Sequence, residues 1–307
     1  MILIAGEALV DLLVDPAGEV RAALGGGPFN AARTVARLGH PCGFVGRLSA
    51  DRFGRRLTAA LSADGVEIAV VDPCDEPTTL AAAELDERGA ASYRFYMTGT
   101  SATLLRPEHL PDAHGVDAVH VGSLALVLEP VATTLLGWLR SLGTDVLVMV
   151  DLNARPRAIA DAAHARTRLQ EFVALTHIVK ASTEDLEFLY PGEAPAASAQ
   201  RMVDSGVAVV LLTDGGDPVH ILTASGGRAV PVPAVDVVDT VGAGDAFGAA
   251  TLTAWIEGGR GRAALRAIDD ETLDALVAAV RFGARVSAIT CTRTGADPPQ
   301  RTEVEPA

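Results

Sequence analysis

The sequence predicts an α/β fold: a doubly wound, mainly parallel sheet flanked by helices, with a small second β-sheet. Three observations support this prediction. Short apolar runs alternate along the chain with Ala-, Leu- and Arg-rich segments of helical length, a pattern typical of doubly wound sheets. Several of these runs are apolar throughout, as expected of parallel strands covered on both faces. One region departs from the alternation, with two consecutive extended segments joined by a polar turn, and this predicts a β-hairpin.

The strand candidates of the main sheet are apolar runs bounded by turn residues. They lie at 2–5, 42–45, 118–121, 146–150, 177–180 and 208–213. The helix candidates lie between and after these strands, at 30–38, 55–63, 131–142, 243–256 and 271–288. The tail that begins at Ala296 is predicted to be coil.

The second sheet is predicted from residues 79–84 and 91–96, which are joined by the turn sequence DERGA, together with the strand-like stretch 10–14. A hairpin inserted in an α/β chain often serves as a lid or as a dimer surface. A small exposed sheet also has edges that need cover. The sequence therefore predicts a candidate homodimer formed through this sheet.

Composition excludes several classes of protein. The chain has 307 residues, of which 49% are hydrophobic, and a net charge of −14 from 25 Lys+Arg and 39 Asp+Glu. So acidic a chain is not expected to bind nucleic acid or an anionic membrane surface, and no apolar run reaches the ~18 residues of a membrane span. The three cysteines form no C-x-x-C pair, so neither disulfides nor a cysteine zinc site is expected. We expect a cytoplasmic protein.

The chain contains one lysine, Lys180, and this excludes two classes of phosphotransferase. A P-loop requires a lysine after a glycine-rich turn, whereas Lys180 follows an apolar run without glycines. The protein-kinase pattern requires a strand lysine and an H-R-D loop, and the sequence has neither.

The segment 237–256, VVDTVGAGDAFGAATLTAWI, is the most informative part of the chain. A β-like run ends at Asp239, and Gly242, Ala243 and Gly244 then open an apolar helix. The unpaired amides at such a helix start suit a phosphate or a developing phosphoryl charge. Asp245 falls in the first turn, where a carboxylate can accept the proton of an attacking hydroxyl. The simpler interpretation is an ordinary acidic first turn, and the G-x-G-x-x-x-G spacing excludes a dinucleotide fingerprint.

A second glycine-rich segment, LGGGPFNAARTVARLG at 24–39, precedes a predicted helix. Its glycines allow a ligand to approach the backbone, and Asn30 offers both a donor and an acceptor. Asp11, which we place at the end of the first strand, adds a carboxylate suited to sugar hydroxyls. Taken alone, these features are equally typical of a loop that caps a helix and of a solvated acid in a turn.

Together these motifs strongly resemble the ribokinase-like (PfkB) family of carbohydrate kinases. The resemblance runs in order through GEALVD, GGGPFNAARTVARLG, GRLSADRFG, DLNARP, VKASTEDL, TDGG and DTVGAGDAF. The closing segment CTRTGADPP resembles the fructokinase-like branch of that family. The resemblance implies one kinase domain over residues 1–307, with a β lid from about 11–24 and 77–101.

The same resemblance implies transfer of the γ-phosphoryl group of ATP, with Mg²⁺, to a primary hydroxyl of a sugar. It makes Asp245 the general base and assigns the anion-hole amides to Gly242, Ala243 and Gly244. The implied sugar-binding residues are Asp11, Gly26, Gly27, Asn30, Phe95, Met97 and Arg155. The implied nucleotide-binding residues are Lys180, Ser182, Thr213, Gly215, Gly244 and Ser287. Asp185 would act on Mg²⁺ through water, and Asp239 and Val241 are candidate ligands of K⁺.

Several of these residues have a second interpretation. Lys180 suits a place near the ATP phosphates, but a surface lysine at a strand end fits the sequence as well. Arg155 could meet substrate or phosphate, or pair with Asp151. Phe95 and Met97 share one face of a strand and could cover a sugar or pack the lid against the body.

Two positions depart from the family pattern. The N-x-x-E motif tied to Mg²⁺ is replaced by Ser182-Thr183-Glu184-Asp185, as is common in the fructokinase-like branch, and the carboxylate is kept at Asp185. Because Mg²⁺ normally retains waters, an indirect site tolerates this change. Pro218 stands where the nucleotide segment usually has glycine, which leaves the detail of that loop open.

The predicted substrate is a neutral ketohexose, with fructose phosphorylated at O6 as the first choice. Members that phosphorylate 2-keto-3-deoxygluconate usually place a carboxylate-binding arginine where this chain has Met97. The alternatives are 2-keto-3-deoxygluconate, with Arg94 or Arg155 as its partner, or another sugar of the family. A non-catalytic sugar-binding regulator is the alternative of another class, and the intact Asp245 motif disfavours it.

Overall fold

A computed structural model describes residues 1–85 and 91–305 of the chain. Its strands are β1 (Ile2–Ala5), β2 (Leu9–Val14), β3 (Val20–Gly25), β4 (Cys42–Val45), β5 (Glu67–Ile68), β6 (Leu80–Leu85), β7 (Ala91–Tyr96), β8 (Ala118–Gly122), β9 (Leu147–Asp151), β10 (Ile178–Ser182), β11 (Val209–Thr213), β12 (Val219–Thr223) and β13 (Gly226–Val230). Its helices are α1 (Gly27–Arg37), α2 (Arg52–Ala63), α3 (Val131–Ser141), α4 (Ala162–Val173), α5 (Thr183–Leu189), α6 (Pro195–Asp204), α7 (Ala243–Glu257), α8 (Asp270–Cys291) and α9 (Arg301–Val304).

The main sheet has the strand order β13-β12-β11-β10-β9-β8-β1-β4-β5 within these described residues. Its pairs from β5 to β11 are parallel, and β12 and β13 extend the sheet by antiparallel pairing. The strands β1, β4, β8 and β9 are buried along their whole length, because helices cover both faces of the sheet. The predicted doubly wound architecture is confirmed.

Alternate residues of the strands pack into two separate hydrophobic cores, one on each face of the main sheet. Ile2 and Ile4 of β1 pack on one face, in a cluster that includes Phe29 of α1 and Trp255 of α7. The neighbouring residues Leu3 and Ala5 point to the other face, in a cluster with residues of α3, α4, α5 and α6. This two-residue alternation follows from the pleat of the strand.

The second sheet has the order β3-β2-β6-β7 in the described part of the chain. The predicted hairpin is confirmed by the antiparallel pairing of β6 with β7, from Leu80 opposite Tyr96 onwards. The turn predicted at 86–90 lies outside the described residues. The antiparallel pairing of β2 with β3 adds a strand, Val20–Gly25, that the sequence analysis did not predict.

Several predicted elements need correction. Helix α1 begins at Gly27, ahead of the predicted start at 30, because proline is well tolerated in the first turn of a helix and Pro28 occupies that position. The β-like run before the GAGD segment is not a strand, although the Val238 amide donates to the Cys291 carbonyl. The tail is not all coil, since it contains α9. Strands β12 and β13 and helices α4, α5 and α6 were also missed.

The α7–α8 contact generates a stability prediction at Gly283. A Cβ atom added to Gly283 would overlap Thr251 Oγ1 and lie 2.8 Å from the Phe247 carbonyl oxygen. We expect Gly283→Ala to destabilise the protein by about 1–3 kcal/mol, because overpacking forces the helices apart. Urea unfolding monitored by circular dichroism measures the change.

Gly137 of α3 provides the matched control. It is exposed in its helix, and no atom lies within 4 Å of an added Cβ. Gly137→Ala should stabilise the protein by about 0.5–1 kcal/mol, because alanine loses less backbone entropy than glycine in a helix. A Gly283→Ala variant as stable as Gly137→Ala would contradict the close helix contact.

Candidate active site

The predicted helix start at Gly242-Ala243-Gly244 is present. Gly242 is the N-cap of α7 and has φ +77°, in the left-handed region that favours glycine. A Cβ atom at Gly242 would lie 2.6 Å from the Ala296 Cβ, so the turn also has no room for a side chain. The Ala243 amide donates to the Thr240 carbonyl at 3.2 Å. One of the three predicted anion-hole amides therefore already has a hydrogen-bond acceptor within the turn.

Asp245 lies in the first turn of α7, with only 7% of its surface exposed. Asn30 Nδ2 donates to its Oδ2 at 2.9 Å, and Asn153 Nδ2 donates to its Oδ1 at 3.1 Å. Burial raises the pKa of Asp245 above its usual value, while the Asn30 hydrogen bond and the charges of Lys180 and Arg155 oppose that rise. The carboxylate is thus oriented by two amides and is poorly solvated.

Lys180 is buried and pairs with Asp151, with its Nζ 3.0 Å from Oδ1 and 3.1 Å from Oδ2. Its interpretation as a surface lysine is therefore wrong, and so is the suggested pairing of Arg155 with Asp151. The two partners stand opposite each other in the β9–β10 register. Lys180 Nζ also lies 3.0 Å from where a Cβ of Gly244 would be, directly beside the start of α7.

Both members of this pair titrate abnormally. Burial lowers the pKa of Lys180, but the carboxylates of Asp151 and Asp185 outweigh it, so that the net shift is upward. Burial raises the pKa of Asp151, in part against the pull of Lys180. Lys180 therefore remains charged and supplies a fixed positive charge beneath the helix start.

The second glycine-rich segment forms a turn at Gly26 and Gly27, here called the glycine turn. Gly26 has φ +109°, and a Cβ there would lie 2.7 Å from the Glu7 carbonyl oxygen. A Cβ at Gly27 would lie 3.1 Å from Asp245 Oδ1 and 3.0 Å from Asn153 Nδ2. The glycine turn therefore lies directly against the predicted base, Asp245.

Asp11 lies within β2 and not at the end of the first strand, and it is half-buried rather than a solvated acid in a turn. Burial raises its pKa to about 6; the charge of Arg155 lowers that pKa and Asp245 raises it. The Arg155 side chain is exposed. These mutual electrostatic effects indicate that the side chains of Asp11, Arg155 and Asp245 lie near one another.

A small apolar cluster, here called the apolar wall, includes residues of the small sheet. It is formed by Leu9, Ala81 and Leu124, with the partly buried Phe95 and Met97 packed against them. The predicted sharing of one strand face by Phe95 and Met97 therefore agrees with their packing. Arg94, which precedes Phe95, is exposed, and so is Tyr96, which lies between Phe95 and Met97.

Ser182 and Asp185 form a capping box at the start of α5. Asp185 Oδ2 accepts from the Ser182 amide at 2.8 Å, and Ser182 Oγ accepts from the Asp185 amide at 3.1 Å. Asp185 Oδ1 accepts from the Ala154 amide at 2.7 Å. Each carboxylate oxygen keeps a second lone pair, so Asp185 can still bind a metal-bound water.

The remaining predicted nucleotide residues lie at the same edge of the sheet. Thr213 ends β11 opposite Ser182, and Gly215 follows it. Thr213 also lines a cavity of about 640 Å³ together with Pro218. Ser287 of α8 donates to the Ala243 carbonyl at 2.9 Å, which places its hydroxyl beside the turn at the start of α7.

The predicted cation ligands Asp239 and Val241 lie in a loop that is held together by hydrogen bonds to the Asp239 side chain. Asp239 Oδ1 accepts from the Val241 amide at 3.0 Å, and Asp239 Oδ2 accepts from the Gly295 amide at 2.8 Å. Asp239 therefore connects the segment before α7 to the segment after α8. In the part of the chain that the structure describes, no three His, Cys, Asp or Glu side chains form a group that could hold a metal ion by themselves.

Sequence reasoning assigned no site role to Asn153, Asp151 or Glu7. The motif DLNARP contains both Asn153 and Asp151, and its polar residues directly after an apolar strand were the available signal. Glu7 belongs to the motif GEALVD but carries no local signal for burial. It is 1% exposed, and its Oε2 accepts from the Ala125 amide at 3.1 Å.

The larger described cavity lies elsewhere. It has a volume of about 1290 Å³ and is lined by residues at the amino ends of β8 and β9, including Asp117 and Val146, and by Trp138 of α3. The polar residues around Asp245 stand at the opposite, carboxyl ends of the strands, where ligands bind in open α/β sheets. The candidate active site therefore lies around Asp245.

The fold and these residues define a sugar kinase of the ribokinase type, and comparison with known proteins agrees. A model of the pfkB family of carbohydrate kinases matches residues 4–303. The chain belongs to this family, so the resemblance is confirmed. Among curated relatives, a fructokinase of Rhizobium leguminosarum bv. trifolii is 34% identical over 82% of this chain and 78% of its own, and fructokinase-1 of Zea mays is 31% identical over 98% and 94%.

Solved structures agree with the fold over nearly the whole chain. The fructokinase of Xylella fastidiosa with bound ATP superposes with a TM-score of 0.90 at 32% identity, covering 99% of this chain and 96% of that one. The fructokinase of Vibrio cholerae O395 with fructose, ADP and calcium superposes with a TM-score of 0.83 at 26% identity, covering 96% and 94%. Among the described residues, no helix is both long and apolar enough to cross a membrane.

The buried Lys180–Asp151 pair generates a second prediction. Lys180→Met should lower the free energy of unfolding by about 3–5 kcal/mol, because it leaves Asp151 and Asp245 buried without their nearest cation. Urea unfolding at pH 8 measures the loss. The double variant Lys180→Met with Asp151→Leu should recover most of it, since no unpaired charge remains at that pair. Equal stability of wild type and Lys180→Met would contradict this account.

Proposed function

We propose that this pfkB-family kinase is an ATP-dependent fructokinase that phosphorylates fructose at O6. One observation carries the proposal: Asp245 is buried in the first turn of α7 and oriented by Asn30 and Asn153, beside the amides at the start of that helix. A non-catalytic sugar binder has no need of such a base. Relatives and solved neighbours named fructokinase support the choice of fructose.

Asp245 acts as the general base in this proposal. The sugar hydroxyl becomes acidic as its oxygen bonds to phosphorus, and Asp245 accepts the proton. The amides of Gly242 and Gly244 at the positive end of α7 stabilise the charge on the transferred group. Lys180, held beneath Gly244 by Asp151, adds a fixed positive charge near the same position.

The sugar is bound in the opening between the glycine turn and the small sheet. Asp11 and Asn30 hold hydroxyl groups, and the glycine turn permits close approach of the sugar to the backbone. The apolar wall with Phe95 and Met97 covers the C–H face of the ring. Arg94 is exposed and its side chain alternates away from this wall, so a carboxylate on the sugar would have Arg155 as its candidate partner.

The nucleotide is proposed to lie along Thr213 and Gly215, with Lys180, Ser182 and Ser287 near its phosphates. Mg²⁺ bound to those phosphates would neutralise their charge, and Asp185 is placed to hold one of its waters. A double mutant of the Vibrio cholerae O395 fructokinase has a solved form with fructose, ADP and a potassium ion, which supports a K⁺ site here, with Asp239 and Val241 as its candidate ligands.

Three further expectations remain predictions. The small sheet is proposed to act as the lid over the sugar, from residues 11–24 and 77–101. Its outer strands β3 and β7 carry the exposed side chains of Val20 and Tyr96, which support the predicted homodimer through this sheet. The cytoplasmic location likewise stays a prediction.

The proposed activity is tested by ADP formation from Mg-ATP with fructose, glucose, ribose, tagatose, adenosine and 2-keto-3-deoxygluconate. We expect fructose to be turned over with the highest kcat/KM. Asp245→Asn should lower kcat on fructose by about 10²–10⁴-fold with little change in KM, because it removes the base and keeps its shape. Asp274→Asn, the same change at an exposed position of α8, is the control.

Two results would redirect the assignment. Turnover of 2-keto-3-deoxygluconate alone would favour the acid sugar, with Arg155 as its partner. Absence of turnover with every sugar of the panel would favour a binding protein or another substrate. Full activity of Asp245→Asn would remove Asp245 from the role of base.

The raised pKa of Asp11 predicts the pH dependence of sugar binding. Because its pKa is about 6, Asp11 is an ionised acceptor above pH 6 and becomes protonated below it. We expect the KM for fructose to rise by up to about tenfold from pH 7 to pH 5, the value of one charge-assisted hydrogen bond. In Asp11→Asn the KM should be high and independent of pH over this range. A wild-type KM that stays flat would show that Asp11 does not bind the sugar.

A further inference from the structure

Glu7 is a buried acid next to the site that the proposed chemistry does not use. It follows β1 and is 1% exposed. Its Oε2 accepts from the Ala125 amide at 3.1 Å, whereas its Oε1 is buried without a hydrogen-bond partner in the described part of the chain. Burying a carboxyl costs free energy even when part of it is hydrogen-bonded, so its presence calls for a role.

The residues that Glu7 contacts form a strained turn. Ala125 belongs to the 3₁₀ turn Ser123–Leu126, which follows β8. Ser123 at its start has φ +63°, a left-handed conformation that costs a non-glycine residue about 1–3 kcal/mol and persists only where its surroundings enforce it. The Glu7 carboxyl, through the Ala125 amide, is a polar anchor of that conformation.

This turn bears on both halves of the site. Ser123 Cβ is 3.1 Å from where a Cβ of Gly27 would be, and the same position lies 3.1 Å from Asp245 Oδ1. Leu124, the next residue of the turn, belongs to the apolar wall with Phe95 and Met97. A shift of the Ser123–Leu126 turn would therefore displace Leu124 in the apolar wall. It would also remove the close contact between Ser123 and the glycine turn.

The backbone of Glu7 is locked to the glycine turn from the other side. A Cβ at Gly26 would lie 2.7 Å from the Glu7 carbonyl oxygen. A Cβ at Gly6 would lie 2.5 Å from Pro28 Cγ and 3.2 Å from Ala125 Cβ. The loop after β1, the glycine turn and the Ser123–Leu126 turn thus pack closely together. Glu7 contributes an ionisable side chain to this contact.

We propose that Glu7 is a positioning residue for the sugar site, whose carboxyl group holds the Ser123–Leu126 turn against the glycine turn and so fixes Leu124 in the apolar wall. This inference rests on the proposed sugar kinase activity for its effect on catalysis. Burial raises the pKa of Glu7 to about 7, with its hydrogen bonds opposing and Asp245 reinforcing the rise. An uncharged glutamine is therefore a close substitute for Glu7.

The test compares Glu7→Gln, Glu7→Ala and the wild type in two measurements. The first is hydrogen exchange of the Ala125 amide in the folded protein, which needs no activity. We expect exchange to be about tenfold or more faster in Glu7→Ala, the loss of one hydrogen bond to a buried carboxyl, and close to wild type in Glu7→Gln. Equal exchange in Glu7→Ala and wild type would overturn the anchor.

The second measurement separates the KM for fructose from the KM for ATP. Glu7→Ala should raise the KM for fructose by about tenfold while the KM for ATP stays within about twofold, and Glu7→Gln should restore the wild-type KM for fructose. Leu135→Ala, a cavity in the core beneath α3, is the control for general destabilisation. The same kinetic pattern in Leu135→Ala, or an unchanged KM for fructose in Glu7→Ala, would overturn the proposal.

The two proposals fail in different ways. A wild-type protein that turns over no sugar overturns the fructokinase assignment and, with it, the catalytic consequence of Glu7. The exchange of the Ala125 amide still decides by itself whether Glu7 anchors the turn. A wild type active on fructose with a Glu7→Ala variant of unchanged KM leaves the fructokinase assignment intact and removes Glu7 from the sugar site.

Discussion

The buried pair of Lys180 and Asp151 is the interaction on which the rest of the site depends. Asp151, Asp185 and Asp245 all lie out of solvent, and Lys180 is the buried cation whose charge acts on all three. In a poorly polarisable interior such charges are tolerated only at close range and in fixed geometry. The helix α7 must therefore begin where Lys180 can reach its first turn, and Gly244 leaves the space for it. Charge compensation thus determines the position of the helix that carries the predicted base.

The position of the site also follows from the order of the strands. From β1 the chain builds the sheet in one direction through β4 and β5, and from β8 in the other direction through β9 and β10. Loops leaving the carboxyl ends of β1 and β8 diverge to opposite faces and open a crevice between them. Glu7 follows β1 and Ser123 follows β8, so both line this crevice. The small sheet stands over the same place, because β2 continues directly from the loop after β1.

Sequence reasoning succeeded where the signal is local. The strand at 2–5 and the strand at 42–45 were predicted to the residue, because short buried strands are apolar throughout. The start of α7 was predicted because Gly-Ala-Gly before an apolar run is a local sequence signal for the start of a helix. The partner of Lys180 could not be predicted, since it depends on the register of β10 against β9. The burial of Glu7 and the position of Asn153 depend in the same way on loops brought together by the whole sheet. The pairing of Arg155 with Asp151, one of the two alternatives for Arg155, was wrong for the same reason.

Asn30 and Asp245, which share a hydrogen bond, are 215 positions apart in the chain. Ala296, which packs on Gly242, adds a contact from still further along. Such contacts form only after long loops of the chain have closed, which costs entropy. Proteins with many contacts of this kind fold more slowly than proteins whose contacts are mostly local. During synthesis the first half of the sheet emerges and can pair long before α7 exists. Because α7 follows all the described strands in the chain, a nascent chain acquires Asp245 only after each of those strands has been made.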